Sequence, residues 1–346
     1  MTASGSAILA QIFNSLVRCS IIALTLLPAA SSAEPIKLKL AFFSSDRSLS
    51  YRAAVKPFVD QVNAAGKGLV EIEPYFSGAL GKDPARQAEL VLDGTADIAY
   101  VVTGLAPSRF SDNAVVEMPG LFRSMRESTT VFTQLVAADA LRGYEDYFVI
   151  GAFATEPETI HARTPISSIE DLKGKRLRVN NPGETAALQN LGAVTLLMPV
   201  NQISDAISGG RIDGAVVSTS PLVDFGIKRV ATYHYLLGIS GAPLVVLMNR
   251  KKFETLPDAV QELIRKFSGV WAAERFIETY APAERQIVED LKVDPMRKVI
   301  FPLPADADIA RRAFKSIKEE WAAKNSHNSE LLVTVESELA ALRALR

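Results

Sequence analysis

Few residues of this sequence could carry out catalysis or hold a metal ion, and their spacing favours neither role. The three histidines, His161, His234 and His327, lie far apart, and none has the short spacing of metal ligands. Cys19 is the only cysteine, which excludes a thiolate zinc site and a disulfide framework. The sequence has neither a Gly-x-Ser-x-Gly nucleophile motif nor a Gly-x-x-x-x-Gly-Lys phosphate loop. We therefore predict no catalytic residue, metal or cofactor, although folding can still assemble a site from distant residues.

Composition limits the partners of the chain. It has 346 residues, with 38 Lys and Arg against 39 Asp and Glu. This balance provides no basic excess to neutralise a phosphate backbone, so a nucleic-acid partner is not expected. With 48% hydrophobic residues the chain can bury a sizeable core, and its length predicts about two domains.

Residues 1–33 have the features of a secretory signal peptide. Arg18 precedes an apolar run at 21–28, and small residues stand at Ser31 and Ala33, as signal peptidase requires. The run is well short of the ~20 residues that span a bilayer. Cys19 precedes the run, which excludes a lipoprotein cysteine. We expect cleavage after Ala33 and a periplasmic mature chain without cysteine, which suits an oxidising compartment.

Residues 34–152 are predicted to form alternating strands and helices, which would position one side of a binding site. Period-two or buried apolar patterns predict strands at 36–43, 70–76 and 96–102. Helical spacing fills the intervals at 51–62 and 83–92. This order predicts a parallel sheet covered by helices. A further strand at 148–153 is expected to run toward a second lobe, and C-terminal segments of the chain are expected to return to the first lobe.

Residues 153–250 repeat this organisation. Strands are predicted at 176–179, 194–198 and 212–217, with helices at 185–191 and 203–208. The segment GTADIA at 94–99 has a counterpart, GRIDGA, at 210–215. Two similar lobes joined by crossing strands favour a ligand cleft between them.

Residues 251–346 are predicted to be helical. A long amphipathic helix begins at Pro257, is kinked or punctuated at Pro282, and continues through Leu291 across both lobes. A last helix at 306–324 carries aromatic residues at helical spacing, which we interpret as core.

Several motifs together give the chain a family resemblance. The most specific is SIEDLKGKRLRV at 168–179. Further motifs in the same order are SGALG at 77–81, LDGTAD at 92–97, VEMPGLF at 116–122, GRIDGA at 210–215 and NRKKFETLP at 249–257. The chain resembles the solute-binding proteins of tripartite ATP-independent periplasmic (TRAP) transporters, the DctP-like family. The resemblance implies an α/β, two-lobed periplasmic-binding-protein fold, type II-like, with crossing strands and a long helix bridging the lobes.

The same resemblance implies an anchor for an organic acid. The second arginine of the motif, Arg178 here, binds the ligand carboxylate in that family. A planar guanidinium can hold a carboxylate through two parallel charge-assisted hydrogen bonds. Arg176 lies on the same face of the strand, so alternation alone cannot separate the two arginines. The position in the motif favours Arg178, with a surface salt bridge expected for Arg176.

Other cleft positions are expected where strands end. They are Phe43, Ser44, Thr103, Asn180, Ser218, Thr219 and Ser220. Phe43 either walls off an apolar ligand body or packs in the core. The hydroxyl groups either donate to ligand oxygens or cap the helices that follow. Glu158 either accepts a hydrogen bond from a ligand hydroxyl or amine, or is a solvated loop carboxylate.

Two departures from the family pattern narrow the range of expected ligands. The stretch 155–158 contains no arginine, whereas sialic-acid binders carry one in this region, so a sialic acid is not expected. The loop at 218–221 lacks the Glu-Trp pair of members that bind 2-oxo acids through a cation, so a metal-bridged ligand is not expected.

The resemblance and the motifs together predict a binding protein. It would capture a small organic acid and deliver it to TRAP permease subunits in the inner membrane. The alternatives are a periplasmic sensor that presents a carboxylate to a receptor, and a periplasmic enzyme on a similar fold.

Overall fold

A five-stranded sheet forms the centre of the first lobe. The computed structural model describes residues 34–345, and the order of strands in this sheet is β2-β1-β3-β10-β4. Its strands are β1 (Ile36–Ala41), β2 (Val70–Tyr75), β3 (Ile98–Val102), β4 (Tyr147–Ala154) and β10 (Pro243–Asn249). Strand β1 pairs in parallel with β2 and β3, which confirms the predicted parallel unit.

One predicted boundary is wrong. Residues 243–250 were assigned to the second lobe, but β10 pairs antiparallel with both β3 and β4 of the first sheet. The chain therefore passes to the second lobe after β4 and returns to the first before β10, and α9 later leads back to β11 of the second sheet. The return to the first lobe was expected from the C-terminal part of the chain, but it occurs earlier, because an apolar strand does not reveal which sheet it joins.

A six-stranded sheet forms the centre of the second lobe, in the order β11-β9-β5-β8-β6-β7. Its strands are β5 (Thr159–Ala162), β6 (Arg176–Val179), β7 (Val194–Leu197), β8 (Gly214–Val217), β9 (Tyr233–Tyr235) and β11 (Lys298–Ile300). Strand β6 is parallel to β7 and β8, whereas β5 is antiparallel to β8 and β9. The parallel strands place their carboxyl ends at one edge, which faces the first lobe.

Helices cover both sheets. They are α1 (Lys56–Ala65), α2 (Gln87–Leu92), α3 (Met125–Ala137), α4 (Pro182–Asn190), α5 (Ile203–Ser208), α6 (Ser220–Asp224), α7 (Arg250–Glu254), α8 (Asp258–Lys266), α9 (Val270–Val293), α10 (Pro304–Ala322) and α11 (Ser326–Ala344). A π-helical turn at Tyr51–Val55 leads directly into α1. Apolar side chains of the sheets and of these helices form the cores of the lobes.

The long helix bridges the lobes as predicted, but it begins later than expected. The segment after Pro257 is two helices, because Gly269 adopts a φ of 61° that ends α8 and begins α9. Helix α9 contains Pro282 and packs against α3 and β4 of the first lobe and against α6 and β11 of the second.

The remaining predictions concern the C-terminal helices and the signal peptide. The helix predicted at 306–324 corresponds to α10, and one more helix, α11, follows it within the predicted helical region 251–346 and packs against α3 of the first lobe. The signal peptide predicted at residues 1–33 lies outside the described residues. Within residues 34–345 no helix combines the length and the apolar character needed to cross a membrane.

Candidate functional site

A cleft between the lobes encloses an empty volume of about 590 Å³, part of it open to solvent. Its walls come from both lobes, from the crossing segments and from α9. The lining residues are Phe42, Phe43, Ser44, Ser50, Tyr100, Val102, Leu105, Thr155, Glu158, Arg178, Asn180, Val200, Val217, Ser218, Pro221, Phe225, Ala242, Leu244 and Tyr280. The cleft is therefore mostly apolar and aromatic, with a few polar groups.

Arg178 is the one cation among the described residues that line the cleft. It lies on β6, and only 2% of its surface is exposed. Nε donates to Met198 O at 2.9 Å, Nη1 to Val216 O at 3.0 Å and Nη2 to Asn180 Oδ1 at 3.1 Å. A guanidinium has five N–H donors, so one N–H on each Nη remains for a ligand. Burial lowers the pKa of Arg178, and the nearby Glu158 and Glu184 carboxyls oppose this shift.

Arg176 has a different environment, although it lies on the same face of β6. Its guanidinium pairs with Asp213, with Nη2 2.8 Å from Oδ1, and 42% of its side chain is exposed. It does not line the cleft. Arg176 therefore forms the surface salt bridge that the sequence analysis expected.

Asn180 and Glu184 hold the guanidinium in place from the start of α4. The Glu184 backbone N–H donates to Asn181 Oδ1 at 2.8 Å, which caps the helix. Glu184 Oε2 accepts from the Asn180 backbone N–H at 2.8 Å, and Oε1 accepts from Ser240 Oγ at 3.0 Å. The Asn180 amide is thus fixed with its oxygen toward Arg178.

Glu158 lies on the first crossing segment and is buried. Its backbone N–H donates to Ser240 O at 2.8 Å, and its carbonyl accepts from the Ile239 N–H at 2.9 Å, so the two crossing segments hold it between them. Its Oε2 is buried and has no hydrogen-bond partner among the described residues. Burial raises the pKa of Glu158 well above its ordinary value, and the adjacent Glu184 carboxyl raises it further. The alternative of a solvated loop carboxylate is wrong.

Aromatic rings form the wall of the cleft contributed by the first lobe and α9. Phe42 packs against Tyr100 with ring centroids 5.0 Å apart, and Phe43 is 5.8 Å from Tyr100. Phe43 is half-buried and also contacts the core of the lobe, so both interpretations of this residue describe part of its environment. Tyr280 enters from α9 and Phe225 from the segment after α6.

The predicted hydroxyl residues separate into two groups. Ser218 lines the cleft, and its Oγ has no partner among the described residues. Thr219 Oγ1 donates to Glu284 Oε2 at 2.8 Å, and Ser220 Oγ bonds Tyr280 OH, so both tie the loop to α9.

Thr103 is also engaged away from the cleft. Its Oγ1 donates to Pro243 O at 3.3 Å and accepts from Asn113 Nδ2 at 2.7 Å. Of the nine predicted positions, the structure brings six to the cleft: Phe43, Ser44, Glu158, Arg178, Asn180 and Ser218. Thr103, Thr219 and Ser220 are not among its lining residues.

A carboxylate of the second lobe accepts hydrogen bonds from the backbone of the first lobe. Asp224, at the end of α6, accepts from the Leu49 backbone N–H of the first lobe at 3.0 and 3.2 Å. Leu49 lies two residues before the π-helical turn at Tyr51–Val55, so Asp224 caps the start of this helical segment from the opposite lobe. Burial raises the pKa of Asp224 to about 6, although the N–H groups and Arg52 oppose the shift.

The histidines do not contribute to the cleft. His161 and His234 lie on the adjacent strands β5 and β9, with their Nδ1 atoms 2.8 Å apart, and both are fully buried. His327 is far from them and bonds Asp112 Oδ2 at 2.9 Å. Within residues 34–345 no three His, Cys, Asp or Glu side chains are grouped as metal ligands.

Comparisons with known proteins agree on one family. The model of bacterial extracellular solute-binding protein family 7, DctP, matches residues 40–325. A solute-binding protein of Verminephrobacter eiseniae is 24% identical over 213 residues, which are 60% of this chain and 63% of that protein. The sialic acid-binding periplasmic protein SiaP of Vibrio cholerae is 24% identical over 84% of this chain and 94% of its own length.

Solved structures share the architecture. A marine metagenome TRAP solute-binding protein from an unidentified microbe, specific for aromatic acid ligands, was crystallised with 3-hydroxybenzoate. It superimposes with a TM-score of 0.81 at 25% identity, covering 89% of this chain and 99% of that chain.

Proposed function

The chain belongs to bacterial extracellular solute-binding protein family 7, the DctP family of TRAP solute-binding proteins, and we propose that it captures an aromatic monocarboxylate for a TRAP permease. Members of this family bind substrates for transport and are not enzymes, and they act outside the cytoplasm. Export with cleavage after Ala33 is part of the proposal, as is delivery to permease subunits in the inner membrane.

The observation that carries the proposal is the guanidinium of Arg178. It is buried, held at three points by the second lobe, and left with one free N–H on each Nη. Two guanidinium N–H donors can pair with the two oxygens of a carboxylate. Because the site is enclosed, these hydrogen bonds are stronger than they would be at a surface.

The walls of the cleft support an aromatic ligand body. Phe42, Phe43, Tyr100 and Phe225 surround the space beside Arg178, and no other cation among the described residues lines it. A second carboxylate would have no counter-charge in this apolar space. The structural neighbour that is 25% identical takes aromatic acids, and 3-hydroxybenzoate is the appropriate first probe.

The proposal is tested by replacing each arginine of β6 in turn. Lysine keeps the positive charge but cannot form the bidentate pair, so Arg178→Lys loses at least one charge-assisted hydrogen bond. Such a bond contributes about 1.5–3 kcal/mol, which corresponds to a Kd about 10- to 150-fold weaker. Arg176→Lys is the matched control, since Arg176 lies outside the cleft and pairs with Asp213.

Isothermal titration calorimetry with 3-hydroxybenzoate measures both variants, and circular dichroism checks that each is folded. We expect the Kd to weaken in Arg178→Lys and to stay near the wild-type value in Arg176→Lys. Equal Kd values in the two variants would contradict the assignment of the anchor.

A further inference from the structure

Three buried glutamates form a group next to the cleft, and two of them, Glu158 and Glu184, lie near Arg178. Glu117, Glu158 and Glu184 are each at most 5% exposed. Glu184 accepts hydrogen bonds through both of its oxygens. Glu158 Oε2 and Glu117 Oε1 are buried with no donor among the described residues. A buried carboxylate oxygen without a donor is costly, so these two groups need either a proton or a partner.

Glu158 is the member of this group that lines the cleft. Its backbone is fixed by Ser240 and Ile239. Ionised carboxylates are acceptors only, so neither Glu184 nor Glu117 can supply a donor to the unpartnered Oε2 of an ionised Glu158. Both oxygens of Glu184 already accept hydrogen bonds, whereas Oε2 of Glu158 has no partner among the described residues. Glu158 is therefore the group of the cleft that gains most from a proton.

A bound anionic ligand makes the ionised form of Glu158 less favourable. A ligand carboxylate on Arg178 neutralises the one cation that lines the cleft, and Glu184 then remains as an uncompensated negative charge. An ionised Glu158 would add a second negative charge in a space from which closure removes water. In an open cleft, by contrast, water hydrates Glu158, and Arg178 has no ligand to neutralise it.

We propose that Glu158 takes up a proton when the cleft closes on an organic-acid anion, so that each captured anion binds together with one proton. This rests on the proposed function. Three charged groups face Glu158: Glu184 on α4, Glu117 on the segment before α3, and Arg178 on β6. The two glutamates favour protonation of Glu158, whereas the arginine opposes it. Glu158 thereby makes the site select a monoanion and adjusts its affinity to pH.

Other titrating groups can be separated from Glu158 by the choice of pH. The pKa of Asp224 is about 6 in the closed cleft, so above about pH 7 it is ionised in both states. Burial lowers the pKa of both His161 and His234, so both are neutral there. Proton uptake above about pH 7 therefore reports on the glutamate group.

Calorimetry with 3-hydroxybenzoate in two buffers of different ionisation enthalpy, phosphate and Tris, counts the protons taken up. At about pH 7.5 we expect close to one proton for the wild type. Because binding takes up a proton, the Kd should weaken as the pH rises above about 7, by up to about tenfold for each unit of pH. Glu158→Gln is isosteric and has no carboxyl to titrate, so it should bind 3-hydroxybenzoate without proton uptake and with a Kd that is nearly constant with pH.

Glu156→Gln is the matched control. Glu156 lies on the same crossing segment and is partly buried, but its Oε2 accepts from the Met125 N–H at 3.0 Å and it does not line the cleft. Proton uptake should persist in this variant. Difference infrared spectroscopy of the wild type gives a readout that needs no variant, because adding 3-hydroxybenzoate should increase the band of a protonated carboxyl.

Two results would overturn the inference and leave the proposed function intact. One is Arg178-dependent binding without proton uptake or a new carboxyl band in the wild type, and the other is undiminished uptake in Glu158→Gln. Failure of 3-hydroxybenzoate to bind the wild type at any pH would overturn the proposed function and this inference with it.

Discussion

Asp224 provides a direct test of how closure of the cleft is stabilised. Its carboxylate belongs to the second lobe and accepts from Leu49 N–H of the first lobe, at the start of a helix. This contact exists only when the lobes are together. Asparagine can replace it as a cap with an uncharged acceptor, whereas alanine has no acceptor.

The magnitude follows from the energetics of helix caps. Replacing a capping Asp by Ala costs about 0.5–2 kcal/mol, whereas Asn caps about as well as Asp. If this free energy belongs to the closed state, Asp224→Ala binds 3-hydroxybenzoate about 2- to 30-fold more weakly, and Asp224→Asn binds close to the wild-type value at pH 7.

The pH dependence of ligand binding gives a second, independent test of the role of Asp224. The pKa of Asp224 is raised from 3.8 to about 6 when the cleft closes, so protonation favours closure as the pH falls through 6. A shift of this size strengthens closure by roughly ninefold between pH 7 and pH 5. Asp224→Asn lacks this titration, and Glu158 is present in both proteins, so its contribution cancels in the ratio of their Kd values.

The assay is calorimetric titration of 3-hydroxybenzoate into the wild type and both variants at pH 7 and pH 5. We expect the ratio of Asn-variant to wild-type Kd to rise roughly ninefold on acidification. Two results would refute this reasoning: an unchanged Kd in Asp224→Ala, or a ratio of Kd values that is the same at both pH values.

Two further predictions test the wall of the cleft and the stability of the first lobe. Phe43→Ala should weaken 3-hydroxybenzoate binding with little change in urea stability, whereas Phe42→Ala, which removes a fully buried ring, should lower the free energy of unfolding by about 3–5 kcal/mol. Normal binding by Phe43→Ala would assign this ring to packing alone. Burial by itself would raise the pKa of Asp112, but hydrogen bonds from Arg142 and His327 lower it to about 2. Asp112→Asn should therefore lower the free energy of unfolding by about 1–3 kcal/mol in urea titrations near pH 7. This difference should disappear as the pH falls from about 4 toward 2, and a constant difference would count against the network.

Local patterns predicted most of the strands and helices but not their partners. Strands β1, β2 and β3 alternate or are continuously apolar, and this fixes both their type and their buried face. The sheet that β10 joins depends on pairing across about 140 residues of sequence with Val102, which no local pattern encodes. The break at Gly269 was missed because helical spacing continues on both sides of it.

The cleft residues that lie at strand ends within one lobe could be predicted from the sequence. Arg178, Asn180 and Ser218 are examples, and the family motif also indicated Arg178. Tyr280 was missed because it reaches the cleft from the bridging helix, about 100 residues further along the chain. Asp224 was missed for the same reason, since its partner Leu49 lies in the other lobe.

Strand alternation could not distinguish the two arginines of β6, but the structure gives them different environments. Both side chains leave the same face of the strand, but Arg176 meets Asp213, which precedes β8, and this carboxylate satisfies it at the surface. Arg178 lies one pleat further, beside the carbonyl of Val216, where the partners are neutral and each Nη keeps one N–H free.

A buried guanidinium without a direct carboxylate partner is stable only if negative charge lies nearby, and Glu184 supplies that charge through Asn180 rather than by contact. The site is thereby balanced before the ligand arrives. An anion that binds Arg178 disturbs this balance, and Glu158, with an oxygen that lacks a donor, is the group placed to restore it with a proton.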